Sequence, residues 1–321
     1  MRLRLKILGL MLALGAILTL ILYISSRYVL LRSFEDLEER AVRENIERIR
    51  ALLANELDEL SSKAGDYAEW DDTYSFIQDA NAEYIQNNLD PLTWANLRID
   101  LLAFIDSDGT VIFGAVFLPN ISSTQLPRDF LELIHANDTL WGHTSIKSRI
   151  AGIAPLKDNP LLIASRPILT SKHEGPIRGA LIVGRFLDFE EIEYLSRTVH
   201  LPLSVSTLKG LDTNSDFYAI SQYLSKEKPV FVQALNSDTV AGYALLTDVY
   251  DNPFLVLKTE MPRLIHKQGE NTITYFLLAT IMIAFFFTAI VIVIVENQFL
   301  SRIVRLATEI ERVGKSQNVL E

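Results

Sequence analysis

Ile7-Leu-Gly-Leu-Met-Leu-Ala-Leu-Gly-Ala-Ile-Leu-Thr-Leu-Ile-Leu-Tyr-Ile24 and Ile273-Thr-Tyr-Phe-Leu-Leu-Ala-Thr-Ile-Met-Ile-Ala-Phe-Phe-Phe-Thr-Ala-Ile-Val-Ile-Val-Ile-Val295 carry no charged residue. A bilayer core takes roughly 20 apolar helical residues to cross, and both runs reach that length. The chain between them is polar, acidic and patterned like a folded domain. The two runs therefore predict one soluble module held between two membrane helices, with both termini on the same side. The first run has a basic start, but its stretch is long and no A-x-A site follows, so it reads as an uncleaved anchor. Arg2, Arg4 and Lys6 favour a cytoplasmic N-terminus, which places the middle of the chain outside.

Composition narrows the function classes. The formal net charge is −10, and the acidic excess is concentrated between the apolar runs. That argues against nucleic-acid binding. There is no cysteine, which excludes disulfides, thiol nucleophiles and Cys-ligated metals. The histidines, His135, His143, His173, His200 and His266, form no HExxH or i,i+4 pair, so no metal site is expected. No Gly-rich phosphate loop and no G-x-S-x-G are present. The expectation is a protein without a cofactor and without an enzymatic activity.

From Leu31 to about Tyr67 the chain has no Pro and one Gly, Gly65. Val42, Ile46, Ile49, Leu53, Leu57, Leu60, Ala64 and Tyr67 recur at steps of three and four. This is the stripe of an amphipathic helix, roughly 50 Å long at 1.5 Å per residue. So narrow a stripe needs a partner, either its own domain or a second copy. Short strand-like runs follow. Leu101–Ile105 and Val111–Phe113 flank the Asp106-Ser107-Asp108-Gly109 turn. Leu161–Ser165 and Ala180–Phe186 come next, and then Asp188 with Glu191 at capping-box spacing. Phe231–Leu235, Ala241–Leu246 and Phe254–Thr259 form a smaller unit. After the second span, Ile303, Leu306, Ile310 and Val313 make a coiled-coil-like seam.

The domain organisation read from these patterns is a cytoplasmic start (1–6), a first span (7–26) and a long stalk helix (27–67). A sensor core (68–200), a smaller α+β extension (201–265), a second span (272–295) and a helical tail (296–321) complete it. Residues 27–271 are expected to be extracytoplasmic.

Candidate chemistry centres on Trp70-Asp71-Asp72-Thr73-Tyr74-Ser75-Phe76. One reading is a helix junction in which Asp72 or Thr73 caps the next helix while Trp70, Tyr74 and Phe76 pack inward. The other is a ligand site with carboxylate grips and aromatic walls. Arg166 and Arg185 lie in or at the ends of apolar strands. Each needs either an internal carboxylate, with Asp100 and Asp188 at hand, or an anionic ligand. The candidate ligand-binding set is Trp70, Asp71, Asp72, Tyr74, Phe76, Asp100, Arg166 and Arg185. Paired acids such as Asp71 and Asp72 are too close in sequence to flank one bond as glycosidase chemistry requires.

Two groups of motifs carry a family likeness. The first is Ala68-Glu-Trp-Asp-Asp-Thr-Tyr-Ser-Phe76 with Tyr84-Ile85, Asn88-Leu89, Leu97-Arg-Ile-Asp100 and Phe104-Ile-Asp-Ser-Asp-Gly109. The second is Ser165-Arg-Pro-Ile168, Gly175-Pro-Ile-Arg-Gly179 and Gly184-Arg-Phe-Leu-Asp188. Together, over roughly residues 35–200, they resemble the type-four CHASE domain, an extracytoplasmic sensor of prokaryotic receptors. The tail resembles the start of a HAMP linker and departs from it at Ile303, where proline is common. The resemblance implies an α+β fold related to Cache and PAS-like sensors, with a long N-terminal helix leading to a central antiparallel sheet. It also implies a homodimer in the inner membrane of a bacterium or archaeon, a small-molecule ligand, and a signal passed by helix movement. The output module, a kinase, cyclic-di-GMP enzyme or chemotaxis unit in relatives, is not among these residues and is expected from a partner or a longer chain. The rival expectation is a structural or regulatory membrane protein whose external domain binds another protein.

Overall fold

The structure, a computed structural model, describes residues 2–118, 121–157, 159–208 and 216–295. The tail seam from Ile303 to Val313 therefore lies outside the described residues. The chain forms two compact units, one of residues 1–40 and 263–321, the other of residues 41–262.

In the first unit, helix α1 (Arg2–Ala68) contributes its N-terminal part and helix α8 (Leu264–Val295) most of the rest. Both are long and apolar enough to cross a membrane. Leu10, Leu14, Ile17, Phe285 and Ile290 are all more than half exposed, as a lipid-facing surface requires. Beside the apolar segments a part-buried ion pair joins α1 to the residue before α8, Arg263 Nε to Glu38 Oε2 at 2.8 Å. Gly269 lets α8 approach the Phe34 ring, since a Cβ there would lie 2.8 Å from Phe34 Cδ2.

The second unit starts with the remainder of α1. Val42, Ile46, Ile49, Leu53, Leu60, Ala64 and Ala68 are buried on it. The stripe is thus satisfied by the helix's own domain, and a second copy is not needed to cover it. Helices α2 (Asp71–Asp79), α3 (Ala82–Asn88) and α4 (Pro91–Asn96) follow. Then come strands β1 (Leu101–Asp106), β2 (Val111–Leu118) and β3 (Ile121–Ser123), helix α5 (Arg128–Ala136), and strands β4 (Ile150–Ala154), β5 (Leu161–Pro167) and β6 (Gly179–Phe186). These six strands form an antiparallel sheet in the order β3-β2-β1-β6-β5-β4. Gly109, with φ +83°, closes the β1–β2 hairpin, and the Asp106 carboxylate accepts the Asp108 and Thr110 N–H groups at 2.9 and 2.8 Å.

Both faces of this sheet are covered, so its central strands read as unbroken apolar runs. Leu102 and Phe104 point to the α1 side, whereas Leu101, Ala103 and Ile105 point to Phe130 and Ile134 of α5. This alternation follows from the two-residue period of a strand.

Helix α6 (Phe189–Val199) leads to the second sheet, made of β7 (Leu203–Thr207), β8 (Val230–Ala234), β9 (Thr239–Thr247) and β10 (Pro253–Pro262), with α7 (Asp216–Ser221) between β7 and β8. Its order is β7-β10-β9-β8, all antiparallel. Val240, Ala244, Leu255 and Leu257 share one cluster with the α1 stripe, while Ala241, Tyr243 and Val256 pack with Ile220 and Phe217 of α7. One long helix therefore lines one face of each sheet.

Candidate functional site

The Trp70–Phe76 segment is a junction fastened by the loop before β6. Helix α2 begins at Asp71, with Trp70 in extended conformation at its N-cap and no side-chain cap. The expected cap at Asp72 or Thr73 is displaced because the helix starts earlier. Thr73 is buried, and its hydroxyl pairs with Tyr84 Oη at 2.6 Å. Asp71 instead accepts the Ser171 N–H at 3.0 Å, which holds its carboxyl below the usual range. Tyr74 Oη donates to Pro176 O at 3.2 Å, and the Arg178 guanidinium lies 3.8 Å over the Tyr74 ring. Of the three aromatics, only Phe76 is fully buried. Trp70 is 39% exposed and packs its ring 4.8 Å from Tyr67.

The space beneath the junction is filled. Phe76 stacks on Tyr84 with centroids 4.4 Å apart and meets Phe104 edge-on at 5.1 Å. Trp94, fully buried, lies 4.5 Å from Tyr67 and 6.3 Å from Phe117. Burial pushes the Tyr84 hydroxyl up to about 12. Beside this core, where α2 passes into α3, a polar hollow of about 460 Å³ opens, lined by Asp72, Ser75, Asp79, Glu83, Asn87 and Asn88 among others. Of the sequence candidates, Asp72 alone lines it.

The strand arginines are both internally paired. Arg166 Nη2 donates to Glu69 Oε1 at 2.7 Å, and His173 Nδ1 stands 3.3 Å from the other oxygen of Glu69. Arg185, 2% exposed, pairs through Nη1 with Glu56 of α1 and lies 3.5 Å from Glu191 of α6. Its Nε donates to Arg98 O at 2.7 Å, and Arg98 Nη2 in turn reaches Glu191 Oε2 at 2.6 Å. The partners are thus Glu69, Glu56 and Glu191 rather than Asp100 or Asp188. Asp188 is occupied as the α6 N-cap, accepting the Glu191 N–H at 3.0 Å. Asp100 accepts the Phe186 N–H at 2.8 Å, and burial raises its carboxyl to about 6. Sequence reasoning missed Glu56, Glu69 and Arg98. Glu56 and Glu69 do lie within or next to the apolar stripe, which is the signal that an acid there must meet a buried cation. The eight candidates do not converge: Trp70, Asp71 and Tyr74 sit in the junction, Asp72 in the hollow, Phe76 in the core, and Arg166, Arg185 and Asp100 in separate polar contacts.

The junction, the sheet and the paired arginines all fall within one stretch recognised by a known family. Residues 52–206 match the CHASE4 domain. The matched stretch takes in the end of α1, the six-stranded sheet, α6 and most of β7. The chain is also 26% identical, over 306 residues, to the methanogenesis regulatory histidine kinase FilI of Methanothrix harundinacea strain 6Ac, covering 94% of this chain and 34% of that protein. It thus spans about a third of the length of that curated relative. Among solved structures, it is similar to the extracellular domain of vpHK1S-Z8, at 12% identity, TM-score 0.46, and coverage of 73% of this chain and 98% of that one. The periplasmic domain of Vibrio cholerae LuxQ is similar at 15% identity and TM-score 0.41, with 69% and 99% covered. The matched stretch lies in a mixed helix-and-sheet domain flanked in sequence by two apolar helices.

Proposed function

We propose that this chain is the sensing part of a two-pass membrane receptor whose external domain binds a small molecule and passes the event inward by helix movement. The observation that carries the reading is the CHASE4 match set between two apolar helices, with α1 running as one element from Arg2 to Ala68. A displacement at the Trp70 junction needs no further joint to act on α1. At the other end, β10 finishes at Pro262 and α8 begins at Leu264, so strand movement acts on the second span. Two alternative packings of one helix suffice for such a signal. The receptor is a homodimer with both termini cytoplasmic, and it works with a downstream output module of the kinase type found in FilI.

The ligand site we propose is the polar hollow beside the junction, with Asp72 and its neighbours binding hydroxyl or ammonium groups. The walls of this site are mostly polar side chains, with Tyr84 the one aromatic among them. The full chain in lipid nanodiscs, screened by thermal shift against amino acids, organic acids, polyamines and sugars, should show a raised melting temperature for one polar class. Asp72→Asn/Asp79→Asn should remove that shift. In a chimera with a kinase output, Trp70→Ala/Asp71→Ala/Tyr74→Ala should abolish signalling. A folded triple variant that still signals would sink the junction's role.

A second reading is favoured by one observation, the filled core under Trp70–Tyr74. In it the external domain binds another protein, and no member of the small-molecule panel shifts the melting temperature.

A further inference from the structure

A second cavity, of about 620 Å³, lies at the seam where α1, the edge strand β4 and the end of β9 meet. Its volume is in the range of small-molecule sites. The floor is apolar: Leu53 and Leu57 of α1, Ile153 of β4 and Leu246 of β9. Its charged lining comprises Arg50, Lys226, Asp248 and Asp251.

The formal charges cancel, and Arg50 and Lys226 keep donors beyond the bonds they make to Glu47 and Asp251. Asp248 is spent on its own turn: Oδ1 accepts the Tyr250 and Asn252 N–H groups at 2.9 and 2.8 Å, and Oδ2 accepts from Asn252 Nδ2 at 3.3 Å. Asp251 Oδ2 takes one Lys226 proton at 2.7 Å. Arg50 gives one bond to Glu47, at 3.1 Å, from Nη1. A guanidinium carries five N–H donors and an ammonium three, so both cations keep donors in excess. The β4 edge adds a backbone donor. Ile153 O accepts the Val249 N–H at 2.9 Å, so Ile153 faces away from β5. In an antiparallel strand, residues two apart face the same way, so Ala151 directs its N–H and C=O to this side as well.

From this apolar floor and donor-rich rim we infer that the seam is a binding site for a small carboxylate with a short aliphatic body. The carboxylate lies against Arg50 and Lys226 and the chain against Leu53, Leu57, Ile153 and Leu246. A ligand there touches α1 and both sheets at once. The site is independent of the hollow assigned above and shares no lining residue with it.

The test uses hexanoate as probe and the full chain in nanodiscs. Hexanoate should raise the melting temperature in a saturable way, whereas hexanamide and hexylamine, of equal chain length, should not. Arg50→Gln should weaken hexanoate binding roughly tenfold or more, the loss expected for a charge-assisted hydrogen bond. Ala54→Trp, which fills the cavity from an exposed helix position, should abolish the shift. If that variant does not fold, Ala54→Leu serves the same purpose. Asp72→Asn/Asp79→Asn should leave hexanoate binding unchanged. Equal shifts with all three probes, no shift with hexanoate, or undiminished hexanoate binding in folded Arg50→Gln and Ala54 variants would each overturn the assignment.

Discussion

Helix α1 meets its two sheets in different ways. Against the six-stranded sheet it is tied by charge: Glu56 pairs with Arg185 of β6 in a fully buried site, and Glu69, just beyond the helix end, pairs with Arg166 of β5. Against the four-stranded sheet it is held by close apolar packing. Gly242 of β9 faces Val42 and Ile46, and a Cβ at that position would come within 2.6 Å of Val42 Cγ1 and 2.7 Å of Ile46 Cδ1. Ion pairs with several hydrogen bonds fix one register, because any slip leaves a buried charge unmatched. Apolar contacts lose little on a small slide. The far end of α1 is therefore coupled to the six-stranded sheet and the junction beside it, and the near end is held by contacts that tolerate a small slide.

The contrast can be broken most forcefully at Glu56. Glu56→Ala leaves Arg185 inside the protein with only its longer carboxylate contact, to Glu191 at 3.5 Å, and should cost about 3–5 kcal/mol of stability, read by denaturant unfolding. A loss below about 1 kcal/mol would mean that the arginine finds water and the charge tie is not structural. Next in size is Gly242→Val, which overpacks the α1–β9 contact and should cost about 1–3 kcal/mol. A neutral result would show that α1 shifts freely at this end, which sharpens the comparison in favour of a sliding contact.

Titration separates the two regions further. Asp100, beside the six-stranded sheet, has its folded carboxyl raised to about 6 by burial. The stability it contributes is complete below the unfolded value near 4 and is lost as pH rises through about 6. Asp100→Asn keeps an acceptor for the Phe186 N–H and should gain about 1–3 kcal/mol at pH 7. His143 bonds Ser148 and Ser165 through its two ring nitrogens at 2.8 and 2.9 Å, and burial lowers it to about 4. Its contribution is complete above about 6.5 and is lost as pH falls through about 4. The two groups oppose one another between pH 4 and 6, so the intact protein should show a flat profile there and Asp100→Asn a rising one. The smallest effect belongs to the apolar end: Asn45→Leu removes a side-chain contact to Met261 Sδ and an exposed bond from Arg48 Nη1 and should change stability by about 0.5 kcal/mol or less.

Much of the fold was legible because burial imposes periodicity. The α1 stripe, the β1–β2 turn and the apolar runs of β5, β6, β9 and β10 all announce themselves in the residue pattern. β4 did not, since Ile150–Ala154 is a short edge strand containing Gly152, whose missing side chain admits Val249. The short helices α3 and α4 were equally obscure, each having too few turns to display a stripe, whereas the start of α2 was read late, with Asp72 or Thr73 expected as the cap where Trp70 stands. The candidate site was read only in part. Sequence flagged strand arginines that needed partners, and the acids that pair them lie far along the chain: Glu56 is 129 residues from Arg185. Long-range pairing of that kind leaves no local signal. The aromatic cluster was visible, but whether its rings would wall a pocket or fill a core depended on Phe104, Phe113 and Tyr84 arriving from other elements.

The central claim is that an external ligand moves α1 against α8. The absence of native cysteine allows spin labels at Leu37→Cys on α1 and Leu264→Cys on α8, both exposed positions, in nanodiscs diluted with unlabelled chain. Pulsed electron-spin resonance would then give the distance between them with and without the compound that raises the melting temperature. The account predicts a shifted distance distribution on binding, lost in Asp72→Asn/Asp79→Asn. An unchanged distribution at saturating ligand would contradict it.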